Sequence, residues 1–215
     1  MTNKKEKYKY GDRIFYKIIR PLIKLYLFLF YPPQVKGLEN IPKDGPIVLA
    51  GNHTKWLDPL LICAVVRKRQ VHFLAKDQLF KGFARIVTYV VGAIPVNRKI
   101  HDHNALDNAI EGLRRGLTIG IFPEGTINRT NDVIMPFKIG AVKMAKEVNC
   151  PIIPFTITGE YELFKGGEKI EFYEPMVVEE NLDNSNEMLM NIIKENLIKG
   201  GRLHGSKPKR RKNKK

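Results

Sequence analysis

Ile47-Val48-Leu49-Ala50-Gly51-Asn52-His53-Thr54-Lys55-Trp56-Leu57-Asp58-Pro59-Leu60-Leu61-Ile62 holds the repeating unit of the fold. Ile47–Gly51 contains no alternating polar residue, so it reads as a strand buried on both faces. Polar loop residues follow. Asp58-Pro59 then marks a helix over Pro59–Val66, because aspartate can cap free N–H groups and proline is tolerated in the first helical turn. Outward from this unit the alternation continues. Strands are expected at Val71–Ala75, Ile94–Val96, Leu117–Phe122 and Ile152–Ile157, with helices at Phe80–Val91, Asn104–Arg115 and Ile139–Val148 between them. A hairpin-like stretch through Ile170–Phe172 and Met176–Val178 precedes a last helix near Glu187–Ile198. Strands that alternate with helices pair in parallel through crossovers. The expected class is α/β, a single domain with a mixed, largely parallel sheet flanked by helices.

The 215 residues carry a formal net charge of +15, and where that charge sits is informative. Residues 1–24 hold eight Lys and Arg against Glu6 and Asp12, and residues 206–215 hold seven with no acid. The stretch 25–205 is left with only +2. Nucleic-acid-binding domains spread a basic footprint over the folded surface, whereas here two appendages flank a nearly neutral globule. That pattern favours an anionic membrane surface and speaks against nucleic acid as partner. A mean hydropathy of -0.26 with 27% charged residues excludes both a polytopic membrane protein and a disordered chain.

Residues 14–31 are apolar but interrupted by Lys17, Arg20 and Lys24. Arg13, Lys17, Arg20 and Lys24 recur at helical spacing and form one stripe, so the segment reads as an amphipathic helix in the membrane interface, basic stripe towards the headgroups. Packing of this helix on its own domain and a single membrane span are the other readings. Pro21 is expected to kink or split the helix, or to open a second one. The organisation is then a basic membrane-associating arm (1–35), a folded domain (36–205) and a disordered basic tail (206–215). Cys63 and Cys150, both in apolar surroundings, read as buried free thiols of a reducing compartment.

Several chemistries are excluded at once. No GxxxxGK[ST], GxGxxG or HExxH motif occurs, and the only serines are Ser185 and Ser206, so a GxSxG hydrolase is ruled out. No His/Cys spacing completes a metal site. His53 follows a strand end, where ligands gather in open α/β sheets. On a loop, Asp58 can fold back to hold one imidazole nitrogen and leave the other to take a proton. This would be a Ser-His-Asp arrangement with a substrate hydroxyl in place of the serine; the alternative makes Asp58 a helix cap and His53 a loop residue. Arg98 ends the short strand of Gly92–Lys99, where a guanidinium can meet a phosphate or simply face solvent. Phe122-Pro123-Glu124-Gly125-Thr126 breaks a strand into a turn whose N–H groups near Gly125 could face an anion. Lys138 stands at a helix start, a second place for an anion.

In this order the segments Asn52–Asp58 (NHxxxxD), Gly92–Arg98, Phe122–Thr126 (FPEGT) and Ile152-Ile153-Pro154 resemble the glycerolipid acyltransferases, the family of 1-acylglycerol-3-phosphate acyltransferases. The resemblance runs from about Lys36 to Thr158. It implies His53 as general base, Asp58 as its polarising partner, Arg98 as a phosphate ligand, and Glu124, Gly125 and Thr126 as acceptor-binding residues. The region of Gly125 would steady the oxyanion, and Pro154 would lie beside the acyl donor. The family often has arginine after the FPEGT threonine; this chain has Ile127, so Arg129 or Lys138 would supply that cation. The implied enzyme moves a fatty acyl group from acyl carrier protein or coenzyme A to the sn-2 hydroxyl of lysophosphatidic acid, giving phosphatidic acid for phospholipid biosynthesis. It would need no metal or cofactor beyond the thioester co-substrate, and would sit on the cytoplasmic face of the membrane as a peripheral or monotopic protein. Another lysophospholipid or lipid alcohol is the alternative acceptor. The rival from another class is a basic nucleic-acid-binding protein, resting on the tail Lys207–Lys215. Oligomeric state is left open.

Overall fold

The computed structural model describes residues 13–67, 69–80, 88, 92–96, 103–164 and 166–205. Seven strands form one sheet: β1 (Gln34–Lys36), β2 (Ile47–Gly51), β3 (Val71–Lys76), β4 (Ile94–Val96), β5 (Thr118–Ile121), β6 (Ile152–Thr158) and β7 (Lys169–Phe172). Their spatial order is β1-β7-β6-β2-β5-β3-β4. The pairings are parallel except that of β7 with β6, which is antiparallel. The helices are α1 (Arg13–Phe30), α2 (Asp58–Val65), α3 (His103–Arg114), α4 (Gly140–Val148) and α5 (Leu182–Lys199).

Side-chain alternation along β2 builds three layers. Ile47 and Leu49, with Phe73 and Phe155, pack on α2 and on the inner side of α1. Val48 and Ala50, with Ile119 and Ile152, pack on α3, α4 and α5. Two glycines make room for aromatic rings in the first layer. A Cβ on Gly51 would stand 2.4 Å from the Phe155 ring, and one on Gly120 2.6 Å from that of Phe73. Each of those buried rings contributes roughly 1.5–3 kcal/mol. The register sets the site. Ala50 pairs with Ile121, so β2 and β5 end level, and the chain leaves both at the same edge.

Three expectations are corrected. Ile170–Phe172 and Met176–Val178 do not pair as a hairpin: β7 pairs with β1 and β6, and Met176 bridges Ile152 instead. The last helix starts earlier, because Asn181 caps it by accepting the N–H groups of Asp183 (3.0 Å) and Asn184 (3.1 Å). Helix α1 runs unbroken through Pro21, and its stripe of cations is not all turned outward. Arg20 donates to the carbonyls of Cys63 and Ala64, both at 3.0 Å, satisfying the open C-terminal end of α2. Tyr16 and Leu27 are buried beside it. Residue 35 lies in β1, and α1 packs on the domain. The helix expected over Phe80–Val91 lies largely outside the described residues.

Cys63 and Cys150 are buried free thiols. Burial pushes the Cys63 thiol up to about 12 and that of Cys150 up to about 11. The folded protein is therefore expected to resist a thiol-reactive disulfide reagent at pH 8 for at least an hour. Both thiols should titrate at once in denaturant, and prompt reaction of the folded chain would contradict the packing described.

Candidate active site

Loops leaving the level ends of β2 and β5 bring the two central motifs together. His53 Nδ1 lies 2.9 Å from Asp58 Oδ2. Asp58 is completely buried. A buried carboxylate is costly unless its lone pairs are used, and here they are. Oδ2 also accepts the N–H groups of Thr54 and Lys55, while Oδ1 accepts the Thr54 hydroxyl (3.0 Å) and the Tyr161 hydroxyl (2.8 Å). Asp58 is not the cap of α2: Leu57 holds that position, and the Asp58 side chain turns back towards the loop. Burial, then the adjacent Asp58 charge, pushes the Tyr161 phenol far above its ordinary range, so it stays protonated and donates to Asp58.

The main chain of His53 is clamped as firmly as its ring. Its N–H donates to Glu124 Oε1 (2.9 Å), and its carbonyl accepts from the Asn128 N–H (3.2 Å). Just before it, the buried Asn52 side chain pairs with both the N–H and the C=O of Ile157, at 2.8 and 2.9 Å. The imidazole stacks on Phe122, with ring centroids 4.2 Å apart and planes 9° from parallel. No hydrogen bond among the described residues uses His53 Nε2, the nitrogen left to exchange a proton. The His53 side chain keeps 13% of its surface exposed.

The FPEGT residues do not all face outward. Glu124 is buried, and its second oxygen accepts the Met135 N–H (2.9 Å), so both oxygens serve the main chain rather than an incoming molecule. Burial raises the Glu124 carboxyl above its ordinary value, against those two N–H bonds. The Gly125 N–H itself donates to Phe122 O at 2.9 Å, closing the turn, so it is not among the N–H groups near Gly125 that could face an anion. Thr126 and Arg129 are exposed. Lys138 ties its N–H to Pro123 O (2.9 Å) and folds its side chain along Gly125, where an added Cβ would meet Nζ at 3.1 Å. Pro154 lies in β6 opposite Ala50. Arg98 lies outside the described residues.

Tyr161, Asn128 and Arg202 reach this cluster without having been expected there. Burial lowers the proton affinity of the Arg202 guanidinium, while the opposite charges of Glu124 and Asp58 raise it. No short-range pattern marks these residues; only the spacing of Gly159, Gly166 and Gly167 around the Tyr161 loop hints at a constrained turn. Chemically, the site offers a carboxylate-oriented imidazole and a cation beside a glycine turn, and among the described residues it holds no serine or thiolate nucleophile.

A family model described as Acyltransferase matches residues 32–158. A 1-acyl-sn-glycerol-3-phosphate acyltransferase of Borreliella burgdorferi is 38% identical over 156 residues, which is 71% of this chain and 62% of that protein. One from Bacillus subtilis is 32% identical over 166 residues, 75% of this chain and 82% of that one. The crystal structure of the 1-acyl-sn-glycerophosphate (LPA) acyltransferase PlsC from Thermotoga maritima superposes with a TM-score of 0.70 at 25% identity, covering 86% of this chain and 81% of the other. This chain thus spans less than two thirds of the Borreliella relative and most of the Bacillus one.

Proposed function

The chain belongs to the acyltransferase family, and from that premise we propose that it transfers a fatty acyl group from an acyl carrier protein or coenzyme A thioester to the sn-2 hydroxyl of lysophosphatidic acid. The observation that carries this reading is the 2.9 Å contact between His53 and a buried, fully bonded Asp58. With Nδ1–H donated to the carboxylate, Nε2 takes the hydroxyl proton as the oxygen attacks the thioester carbonyl. The carbon–sulfur bond then breaks, and the imidazolium returns its proton to the leaving thiolate. Asp58 stabilises the imidazolium that exists between these two events. The hydroxyl nucleophile belongs to the acceptor, so the step balances with no acyl-enzyme and with no metal or cofactor. Glu124 and Asn128 hold the His53 main chain, which keeps Nε2 aimed while the ring rests on Phe122. Lys138, whose side chain lies along Gly125, is our candidate for the acceptor's phosphate, with Arg129 and Arg98 as the further cations that the motifs offer.

The membrane reading gains a geometric basis in α1. Its inner side is packed, while Ile14, Ile18, Leu22, Leu25 and Leu29 lie on the opposite side, each at least 59% exposed. Lys17 and Lys24 border that apolar face, suiting an anionic bilayer. Among the described residues no helix is long and apolar enough to cross a membrane. On the exposed apolar face of α1 we infer a bilayer-surface protein, on the cytoplasmic side where the thioester donors are made. Removing residues 1–31 would also strip Tyr16, Arg20 and Leu27 from the domain, so substitution is the cleaner probe. Ile18→Asp/Leu22→Asp/Leu25→Asp is expected to fold and to lose at least about tenfold in binding to anionic vesicles by flotation. Undiminished flotation would refute the docking face.

Purified protein with radiolabelled acyl thioester and lysophosphatidic acid in vesicles should form phosphatidic acid with at least one of the two donors. No product with either would reject this acceptor, and product only from another lysophospholipid or lipid alcohol would reassign it. Nothing in the fold or in the relatives supports nucleic-acid binding.

A further inference from the structure

Arg202 lies outside every motif, in the turn that closes α5. After α5 the chain turns off sharply at Gly201 (φ 84°), with Gly201 N–H bonded to Ile198 O and Arg202 N–H to Leu197 O, both at 2.9 Å. These are the two bonds of a Schellman cap. Three residues later Gly205 is pressed against the loop after β5; a Cβ there would stand 2.5 Å from Thr130 O and 2.6 Å from Asn128 Oδ1. Asn128 is the residue that holds the His53 carbonyl. Residues 200–205 therefore strap α5 to the loop system that carries Glu124. Between the two anchors, Arg202 Nε and Nη2 are shielded from solvent and have no hydrogen-bond acceptor among the described residues. The opposite charges acting on the guanidinium are those of Glu124 and Asp58.

We propose that Arg202 is a positioning residue, a half-buried counter-charge with shielded donor atoms that keeps Glu124 ionised and thereby holds the His53 main chain in its catalytic place. Uncompensated buried charge is costly, and the Glu124 and Asp58 oxygens are already bonded to other donors, so the compensation acts through space. Shielded donor atoms fit this role better than capture of a substrate anion, which would first have to open the strap. An ionised Glu124 accepts both the His53 and Met135 N–H groups. A protonated one would point an O–H at a donor and loosen one of them. The sign of the pH effect follows. Burial raises the Glu124 carboxyl, the two N–H bonds lower it, and the facing charges, Arg202 and His53, lower it further. Without Arg202, Glu124 takes its proton at higher pH, and the acidic limb of turnover moves upward with it.

The role rests on the acyl-transfer reading, but its direct test needs no substrate. In the full chain with ¹³C-labelled glutamate carboxyls, Glu124→Gln identifies the Glu124 resonance. Arg202→Met is expected to raise the Glu124 midpoint by about one pH unit. Arg202→Gln should give the same rise and serves where the methionine variant does not fold; Arg202→Lys should restore most of the wild-type midpoint. Turnover should fall by up to about tenfold on the acidic limb, and little at neutral pH, with both Michaelis constants little changed, and far less when Glu124→Gln is already present. An unmoved Glu124 midpoint would overturn the proposal whether or not the protein transfers acyl groups. A rise confined to the acceptor's Michaelis constant would overturn it too, in favour of phosphate binding.

Discussion

Replacing His53 by alanine is expected to lower acyl-transfer turnover by about 10²–10⁴-fold or more, the contribution of a positioned general base, about 2.7–5.5 kcal/mol of barrier. No neighbour can take over. Among the described residues, Glu124 has both oxygens committed to main-chain N–H groups, and Asp58 is buried beneath the ring. Folding should survive, because the loop is held by groups that the substitution leaves in place. The His53 N–H still meets Glu124, the His53 carbonyl still meets Asn128, and Asn52 still pairs with Ile157. What is lost is the ring on Phe122, a partly buried stacking contact worth about 0.5–1.5 kcal/mol. Turnover in vesicles and a thermal melt separate the two effects. A variant within tenfold of wild type would remove His53 from the chemistry.

Asp58→Asn is expected to be nearly as severe, on the order of 10²–10⁴-fold, while costing little stability. The asymmetry follows from the bonds. If the amide oxygen takes the place of Oδ2, it still accepts from His53 Nδ1, Thr54 N–H and Lys55 N–H. The amide nitrogen then faces the Thr54 and Tyr161 hydroxyls, which can rotate to accept. The geometry is kept and the charge that stabilises the imidazolium is gone. The two losses should not add in a His53→Ala/Asp58→Asn double variant, because without the ring the carboxylate has nothing to orient. Multiplicative losses would mean that the two residues act separately.

Much of the sheet was legible because its strands are buried runs bounded by turn residues; Ile47–Gly51 is found where it was expected. The contact of His53 with Asp58 was one of two readings that the strand end, loop and five-residue spacing left open, the other making Asp58 a helix cap, and the motif's resemblance favoured it. What could not be read is non-local. Alternation in Ile170 and Phe172 tells which residues face the core, not that β7 pairs with β1 and β6. Helical spacing groups Arg20 with Lys17 and Lys24, but only the carbonyls of Cys63 and Ala64 draw it inward. Tyr161 meets Asp58 across 103 residues of chain, a contact with no local signature. In the FPEGT segment the residue types were informative and their orientation was not. Both Glu124 oxygens accept main-chain N–H groups, and the Gly125 N–H closes a turn, neither of which the residue types alone could tell.

The central claim is that the His53–Asp58 pair activates the acceptor's own hydroxyl, with no acyl group resting on the protein. One single-turnover measurement tests it. Enzyme in excess is mixed with radiolabelled acyl thioester, quenched at intervals, and assayed for free thiol, protein-bound label and phosphatidic acid, with and without lysophosphatidic acid. With the acceptor, thiol and phosphatidic acid should appear together at equal rates; without it, neither thiol release nor protein-bound label should accumulate. A burst of thiol matched by label on the protein in the absence of acceptor would contradict the account.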